Sequence, residues 1–540
     1  MPASEKGSPL TTEPRGSSFA SAAAPSRPEA SGSRRKRSWL PSALARAAVF
    51  TLLRLAQLVN RTLMHSEEVY KLRFVPGFEQ LRWRLGEWKA WRVYEVARRR
   101  VPAYGAFLRD HSEDARAFEI DFAALPETDK ESYVKRWSLE EQCLGGAFPT
   151  SGVVVDESSG TSGKPSNWVR GRDERRAVKK MLNLALHELL GREPLYVVNA
   201  FALGPWATGM NVSMSVVDMA ILKSTGPEIG KIEATLRDFG PRYRYLITGY
   251  PPFLKTLVDR AEIDWSEYEA YAAFGGEGIS EAMRDYLGRA FRKVYGSYGA
   301  SDLEINIAAE NDFTIALRRE LARNEPLRAT LTWDDALPMV FQYSPLDYLV
   351  ETNADGELVV TLLRASNVSP RVRYNIHDRG HVLRFPELRR VLAEHGLRVE
   401  DVAECRTDLP LLFHYGRADQ AVAFYGSKVT PRDIEEVVFS LPELAALVDS
   451  FALLVHEDEE VNKRLTIALE LAEGKEPPVD VPTLRAQFLS RLKEVNQDFR
   501  EASRFIPPGG EPELAFHAAR SGPFAANDIR LKKRYIQRAE

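Results

Sequence analysis

The sequence predicts an α/β protein: a large unit whose mixed or parallel sheets are flanked by helices, followed by a small mobile α+β unit. Beyond residue 190, short β-rich runs (LYVVNAF, YRYLITG, AYAAFGGEG, KVYGSYG) alternate with stretches of helical period. These runs end in glycine turns, as expected of a buried, largely parallel sheet whose ligands gather at the carboxyl ends of its strands. After Arg417 a further compact stretch begins, with strand-like FALLVHE and LTIALEL and helical patterns near 431–440 and 483–498. A chain of 540 residues also exceeds one ordinary core, since cores stop growing near about 250–300 residues.

The elements follow in order. Residues 1–37 read as a disordered tail: Ser, Pro, Ala and Gly dominate, apolar periodicity is missing, and the stretch closes on the basic cluster Arg34-Arg35-Lys36-Arg37. Residues 38–100 read as a helical extension. Its first part, Trp39 to Met64, is apolar but interrupted by Arg46, Arg54 and Arg61, too often to span about 30 Å of hydrocarbon. It also begins too late for a signal peptide. Leu44, Ala48, Leu52, Leu55, Val59 and Leu63 fall on one helical face and the arginines on another. Two meanings stay open: a helix packed on its own domain, or a basic amphipathic helix giving residues 38–64 a weak association with an anionic membrane surface.

From Glu67 to Arg100 the pattern is helical and aromatic, with Leu81, Leu85, Trp88 and Trp91 on one face. The interleaved arginines read as a solvated layer over a core-facing stripe rather than as a nucleic-acid surface. The large unit is placed at 101–415 and the small one at 416–540. Within the former, Pro251-Pro252 opens a helix, Ser280–Phe291 forms another, and Asp355-Gly356 turns a hairpin.

Composition excludes several classes. A formal charge of −3 supplies no global attraction for nucleic acid. Cys143 and Cys405 make neither a disulfide framework nor a ligand-spaced cluster, so a reducing cytoplasm is the expected setting. His377 and His381 have i, i+4 spacing, but Asp378, Arg379 and Gly380 between them suit a loop better than a metal-binding helix.

The chemistry is carried by loops. Ser158-Ser159-Gly160-Thr161-Ser162-Gly163-Lys164-Pro165 has the composition of an anion-wrapping turn: glycines let backbone N–H groups converge and hydroxyls add donors without bulk. It is not a Walker A loop, whose spacing differs. Gly275-Gly276-Glu277-Gly278 lies between a strand and a helix. Tyr295-Gly296-Ser297-Tyr298-Gly299-Ala300-Ser301-Asp302 offers a flat ring and a carboxylate. Arg373-Tyr374-Asn375-Ile376-His377-Asp378 places an acid fit to accept two hydrogen bonds from a ribose diol. Gly416-Arg417-Ala418-Asp419 and Gly426-Ser427-Lys428-Val429-Thr430-Pro431-Arg432-Asp433-Ile434-Glu435 open the small unit.

In order and spacing these segments resemble the acyl-adenylate-forming (AMP-binding) superfamily, and most closely its phenylacetate–CoA ligase-like branch, from about Val101 to the C-terminus. The first loop is similar to that family's SSGTTGKP, YGASD to YG-x-T/S-E, GRADQ to GR-x-DD and GSKVTPRDIE to its G-x-R/K-I-x-P-x-E-I-E. VPAYGAFL and LPETDKESYVKRW resemble the lead-in of the branch.

The resemblance implies an ATP-dependent ligase that makes an acyl-adenylate and passes the acyl group to coenzyme A, with a carrier-protein thiol or an amine as alternative acceptors. It implies that Ser159, Gly160, Thr161, Ser162, Gly163 and Lys164 lie on the ATP phosphates. Tyr298 is implied near adenine, and Gly276 and Glu277 on the nucleotide or acyl-site wall. Asp302 is implied as the Mg²⁺ ligand, Asp378 on the ribose hydroxyls, Arg417 near ribose or phosphate, and Asp419 as the hinge.

The chain departs from the pattern at its end. The family's catalytic lysine sits in a Gly-Lys, whereas here Asn527-Asp528-Ile529-Arg530-Leu531-Lys532-Lys533 leaves Lys532, Lys533 and even Arg530 in contention, with Lys532 favoured. His377 and Gln420 also replace usual residues. Phe201, Leu203, Trp206, Thr208 and Met210 are candidates to line an acyl pocket for an aromatic or medium-chain carboxylic acid. A degenerate, non-catalytic nucleotide-binding relative is the remaining alternative.

Overall fold

The computed structural model describes residues 43–63, 66–157, 166–204, 207–276, 278–333, 337–417, 422–424, 427–457, 463–496, 499–500, 503, 506, 509–525 and 536–538. Its strands come from the runs of β-branched and aromatic residues. They are β1 (Val154–Glu157), β2 (Asn167–Arg170), β3 (Leu195–Asn199), β4 (Ile221–Ser224), β5 (Arg244–Gly249), β6 (Glu269–Gly275) and β7 (Val294–Tyr298). After these follow β8 (Ala308–Ala309), β9 (Met339–Tyr343), β10 (Tyr348–Thr352), β11 (Glu357–Leu362), β12 (Tyr374–Leu383) and β13 (Leu411–Arg417).

Eleven strands form one sheet in the order β10-β11-β12-β13-β9-β8-β7-β6-β5-β3-β4. The half from β4 to β7 is parallel; β3, β5, β6 and β7 are buried on both faces between helices, which explains their continuous apolar runs, while β4 is a partly exposed edge. From β7 onward every pairing is antiparallel. Asp355-Gly356 turns β10 into β11 as expected, with Gly356 at φ +77°. The expected helix at 280–291 is shorter, Glu281–Leu287. Ser280 caps it by accepting the Met283 N–H at 3.0 Å.

The small unit has its own core, in which Ile434, Val437 and Phe488 pack on Leu453 and Ile467. A four-stranded sheet (513–517, 463–471, 448–457, 536–538) carries the helices Pro431–Ser440 and Val481–Val495. It meets the large unit through Glu435, whose carboxylate accepts the Ser280 N–H at 3.1 Å, and Asp449, which receives the Thr256 hydroxyl at 3.3 Å. The class is therefore α/β with a mixed sheet and a small α+β unit, as the alternation of elements requires.

The extension is helical, but its buried faces differ from those the sequence suggests. The first helix, Ala43–Leu63, seats Val49 and Leu53 in one core with Trp91 and Tyr94. Leu52 and Leu55, expected on the packed face, are 60% and 54% exposed. Arg46 reaches Glu119 at 3.5 Å and Phe50 meets Phe118, and these two contacts fix the rotation. In the helix Glu79–Arg100, Leu81 is exposed while Arg82 is buried against Asp408. Gly86 allows this helix to lie on the Pro345 carbonyl, which a Cβ there would meet at 2.2 Å. No helix among the described residues is long and apolar enough to cross a membrane.

Lys89, on the same helix, donates to the Leu346 carbonyl, and desolvation pushes its pKa down from 10.5 to about 8. Between these values the unfolded chain holds a proton that the folded one has released, so stability rises with pH across that window. Lys89→Met is expected to flatten this rise, read as the difference in urea midpoint between pH 7.5 and 10 relative to the unmodified protein.

Candidate functional site

The site is built at the carboxyl ends of the parallel strands, where β6 and β7 run out beside β12. Gly276, just past β6, has φ +82°, and a Cβ there would strike the Tyr250 ring at 2.7 Å. After β7 the chain turns sharply through Gly299, where a Cβ would lie 2.3 Å from the Ile305 carbonyl carbon. This turn projects Asp302 toward β12.

Two reciprocal hydrogen bonds then tie the loop to that strand. The Tyr298 hydroxyl donates to Asp378 Oδ2 at 3.0 Å, and the Tyr374 hydroxyl donates to Asp302 Oδ2 at 2.7 Å. Each acid is thus held by a tyrosine from the other segment. Burial pushes the Tyr374 phenol well above its ordinary pKa, with the Asp302 charge adding to the rise, so it stays a donor throughout the neutral range. Asp302 also accepts the Ser301 hydroxyl at 3.2 Å. A carboxylate has about four acceptor positions, so Asp302 retains capacity for a cation.

Among the described residues no group of three His, Cys, Asp or Glu forms a protein-only metal cage. One carboxylate of this kind fits Mg²⁺, which is commonly held by one or two carboxylates together with substrate phosphates and water.

Arg170 on β2 supports this loop from below. Its guanidinium donates to the Ser301 and Leu303 carbonyls, on both sides of Asp302, and is held by Glu174 at 3.0 Å and Asp156 at 3.3 Å. On the other side, His414 of β13 lies with Nε2 3.4 Å from Asp378 Oδ2 and its ring centroid 4.7 Å from that of Tyr298. Sequence reasoning missed Arg170 and His414. The only local sign of His414 is its place three residues before Arg417. In register, Asp378 stands directly opposite Arg417 across β12 and β13, so these two candidates meet at one sheet position.

The histidine pair resolves differently. His377 and His381 lie on strand β12, where four residues span about 13 Å, too far to share a metal ion. His377, at φ 58°, sits 3.1 Å from Glu357, and its Nε2 is 3.6 Å from Asp129 of the LPETDKESY segment. His381 stacks on Phe413 beside Trp333, and burial pushes it down to about 4. The two cysteines are free.

A cavity of about 90 Å³ opens on the same loop and runs down between β3, β5 and the helix Ala207–Val216. Phe201 and Thr208 line it, as expected, and so do Gly276, Ser297 and Ser301. Its depth is walled by aliphatic side chains such as Leu186, Val197 and Leu246, and none of the described lining residues is charged. Ser159, Gly160, Thr161, Ser162, Gly163, Lys164, Trp206, Glu277, Asp419, Arg530, Lys532 and Lys533 lie outside the described residues.

In fold, this sheet with its small appended unit is similar to that of a solved CoA ligase. No protein-family model and no curated protein sequence matches the chain. Among solved structures it is similar to 2-hydroxyisobutyryl-CoA ligase in the postadenylation state in complex with R3-HIB-AMP. The TM-score is 0.64 at 15% identity, covering 86% of this chain and 91% of that one. The same ligase with 2-HIB-AMP gives the same values. Its open conformation with 2-HIB-AMP and CoA gives a TM-score of 0.51 at 16% identity, over 86% and 93% of the two chains.

Proposed function

We propose that this protein is an ATP-dependent carboxylate ligase. A carboxylate oxygen attacks the α-phosphorus of ATP, the bond to the β-phosphate oxygen breaks, and pyrophosphate leaves. The sulfur of coenzyme A then attacks the acyl carbon, the thiol proton is lost, and AMP departs. The observation that carries this reading is the reciprocal Tyr298–Asp378 and Tyr374–Asp302 pair, with an uncharged cavity opening on the same loop.

In this reading Asp378 accepts the ribose hydroxyls, Tyr298 borders the adenine, and Arg417 approaches ribose or phosphate from across the sheet. Gly276 and Glu277 form the wall shared with the acyl group. The 159–164 loop, with Lys164, receives the β- and γ-phosphates. Asp302 holds Mg²⁺, which when bound offsets phosphate charge. Lys532, or Lys533 in its stead, meets the charge that develops at the α-phosphate. Asp419 serves as the hinge between the two half-reactions, and the reducing cytoplasm is where ATP and coenzyme A are available.

The acyl group is taken to be uncharged, because no described lining residue answers a second carboxylate or an ammonium. Benzene fits an apolar cavity of about 150 Å³, so the 90 Å³ here favours the compact end of the aromatic or medium-chain range. The test is acid-dependent ATP–pyrophosphate exchange over aryl, alkyl, dicarboxylic and amino acids, followed by thioester detection with coenzyme A. Exchange is expected with compact apolar acids and not with dicarboxylates, and is expected to fall in either Lys532→Ala or Lys533→Ala. ATP binding without exchange for any acid would overturn the proposal.

A further inference from the structure

Among the described residues, five polar side chains line the acyl cavity: Thr208, Thr248, Ser297, Ser301 and Asn306. Three of them donate their hydroxyls within the protein. Thr248 donates to Asn199 Oδ1 at 3.1 Å, Ser297 to Asn306 Oδ1 at 2.8 Å and Ser301 to Asp302 at 3.2 Å. Asn306 is different: it is 5% exposed, its oxygen is taken by Ser297, and its amide nitrogen donates to no described residue. An amide carries two N–H donors, and burying them without an acceptor is unfavourable. Their acceptor is therefore to be sought in what fills the cavity.

This donor is held in place by the protein alone. The Ile307 N–H donates to the Tyr298 carbonyl at 2.8 Å, and the Tyr348 hydroxyl donates to the Asn306 carbonyl at 3.4 Å, so the backbone around Asn306 is pinned. The Ser297 hydroxyl then fixes which end of the amide is engaged and leaves the nitrogen available. Ser297, Ser301 and Asn306 belong to the strand end and loop that carry Asp302, whereas Leu186, Val197 and Leu246 wall the depth. A carboxylic acid seated tail-first thus brings the carbons next to its carboxyl group past the amide. The described lining holds no charge, so the matching acceptor is uncharged.

We infer that Asn306 is a specificity-determining residue that selects compact acids bearing an uncharged oxygen, a hydroxyl or a carbonyl, on the second or third carbon. The inference rests on the reading above that this cavity holds the acyl group. The substrate oxygen accepts the Asn306 N–H, and an acid without that oxygen leaves the amide unpaired. A site built to hydrogen-bond a substrate group rejects the analogue lacking it far more strongly than an apolar pocket discriminates by size.

The test is ATP–pyrophosphate exchange with matched acids of equal carbon number: 2-hydroxy, 3-hydroxy and 2-oxo acids against their deoxy counterparts. For at least one of these positions kcat/KM is expected to be roughly tenfold or more higher for the oxygenated acid. Asn306→Leu keeps the side-chain volume and is expected to bring that preference below about threefold, with ATP binding and urea midpoint reporting the folded state. If the leucine variant does not fold, Asn306→Asp takes its place, because it keeps the acceptor for Ser297 and removes the N–H donors. A preference below about threefold in the unmodified protein would overturn the inference and leave the ligase reading intact, the amide then being met by water. A preference that survives in a folded variant would overturn it equally. ATP binding without exchange for any acid would overturn the ligase reading itself, and this inference with it.

Discussion

Asp378→Asn is expected to lower kcat/KM for ATP in the exchange reaction by about a hundred- to a thousand-fold, with the folded state retained. The carboxylate is 9% exposed, and one of its oxygens already accepts the Tyr298 hydroxyl at 3.0 Å beside His414. In the proposed role it also accepts two ribose hydroxyls, and hydrogen bonds to a charged group contribute about 1.5–3 kcal/mol each. Asparagine keeps the volume but offers one acceptor oxygen, and its amide N–H₂ faces donors or the ribose. Losing about 3–4 kcal/mol corresponds to the stated range at about 1.4 kcal/mol per decade. The effect should fall on KM for ATP more than on kcat, because ribose contacts persist from ground state to transition state. An ATP titration showing less than a threefold change would make Asp378 a structural partner of Tyr298 only.

The two acids could be singled out in the sequence only through the motifs around them, which resemble those of the AMP-binding superfamily; each alone reads as a capping or surface acid. Their partners could not be. Tyr374 reads as one more aromatic of an apolar strand, and only the register that sets β12 beside the β7 loop turns its hydroxyl toward Asp302. Arg82 reads as one of the solvated arginines of its helix, since burial of arginine is rare without a partner and its partner Asp408 lies far away in sequence; Arg170 has Glu174 and Asp156 nearby in sequence, but the Ser301 and Leu303 carbonyls that give it its place lie far away.

The alternation of strands and helices foretold the sheet, because that pattern is local. The buried face of the first helix was not foretold. Leu52 and Val49 are equally apolar, and the choice between them was made by Phe118 and Glu119, residues that periodicity within the helix does not see.

The largest stability effect is expected at Glu310, which supports the same loop from inside the large unit. Its side chain is fully buried and accepts two hydrogen bonds from Arg284, at 2.6 and 3.0 Å, and the Gly296 N–H at 2.6 Å. Arg284 in turn donates to the Val294 carbonyl at 2.7 Å, so one ion pair holds β7 at its first residue and at its middle. Glu310→Leu strands a buried amide N–H and leaves the buried Arg284 guanidinium with Glu281, at 3.2 Å, as its remaining carboxylate, which together cost about 3 kcal/mol. Glu310→Gln, which keeps an acceptor for Gly296, should cost less. Because Gly296 is two residues from Tyr298, exchange activity should fall with stability in the leucine variant and recover in part with glutamine.

The double change Arg284→Met/Glu310→Leu separates the pair's own contribution from the penalty of removing one partner only. Replacing a buried ion pair by apolar groups of similar size is often near neutral, so the double variant should regain much of the urea midpoint lost in Glu310→Leu. Equal destabilisation of the single and double variants would instead mean that the Gly296 hydrogen bond, not the charge left behind, dominates this site.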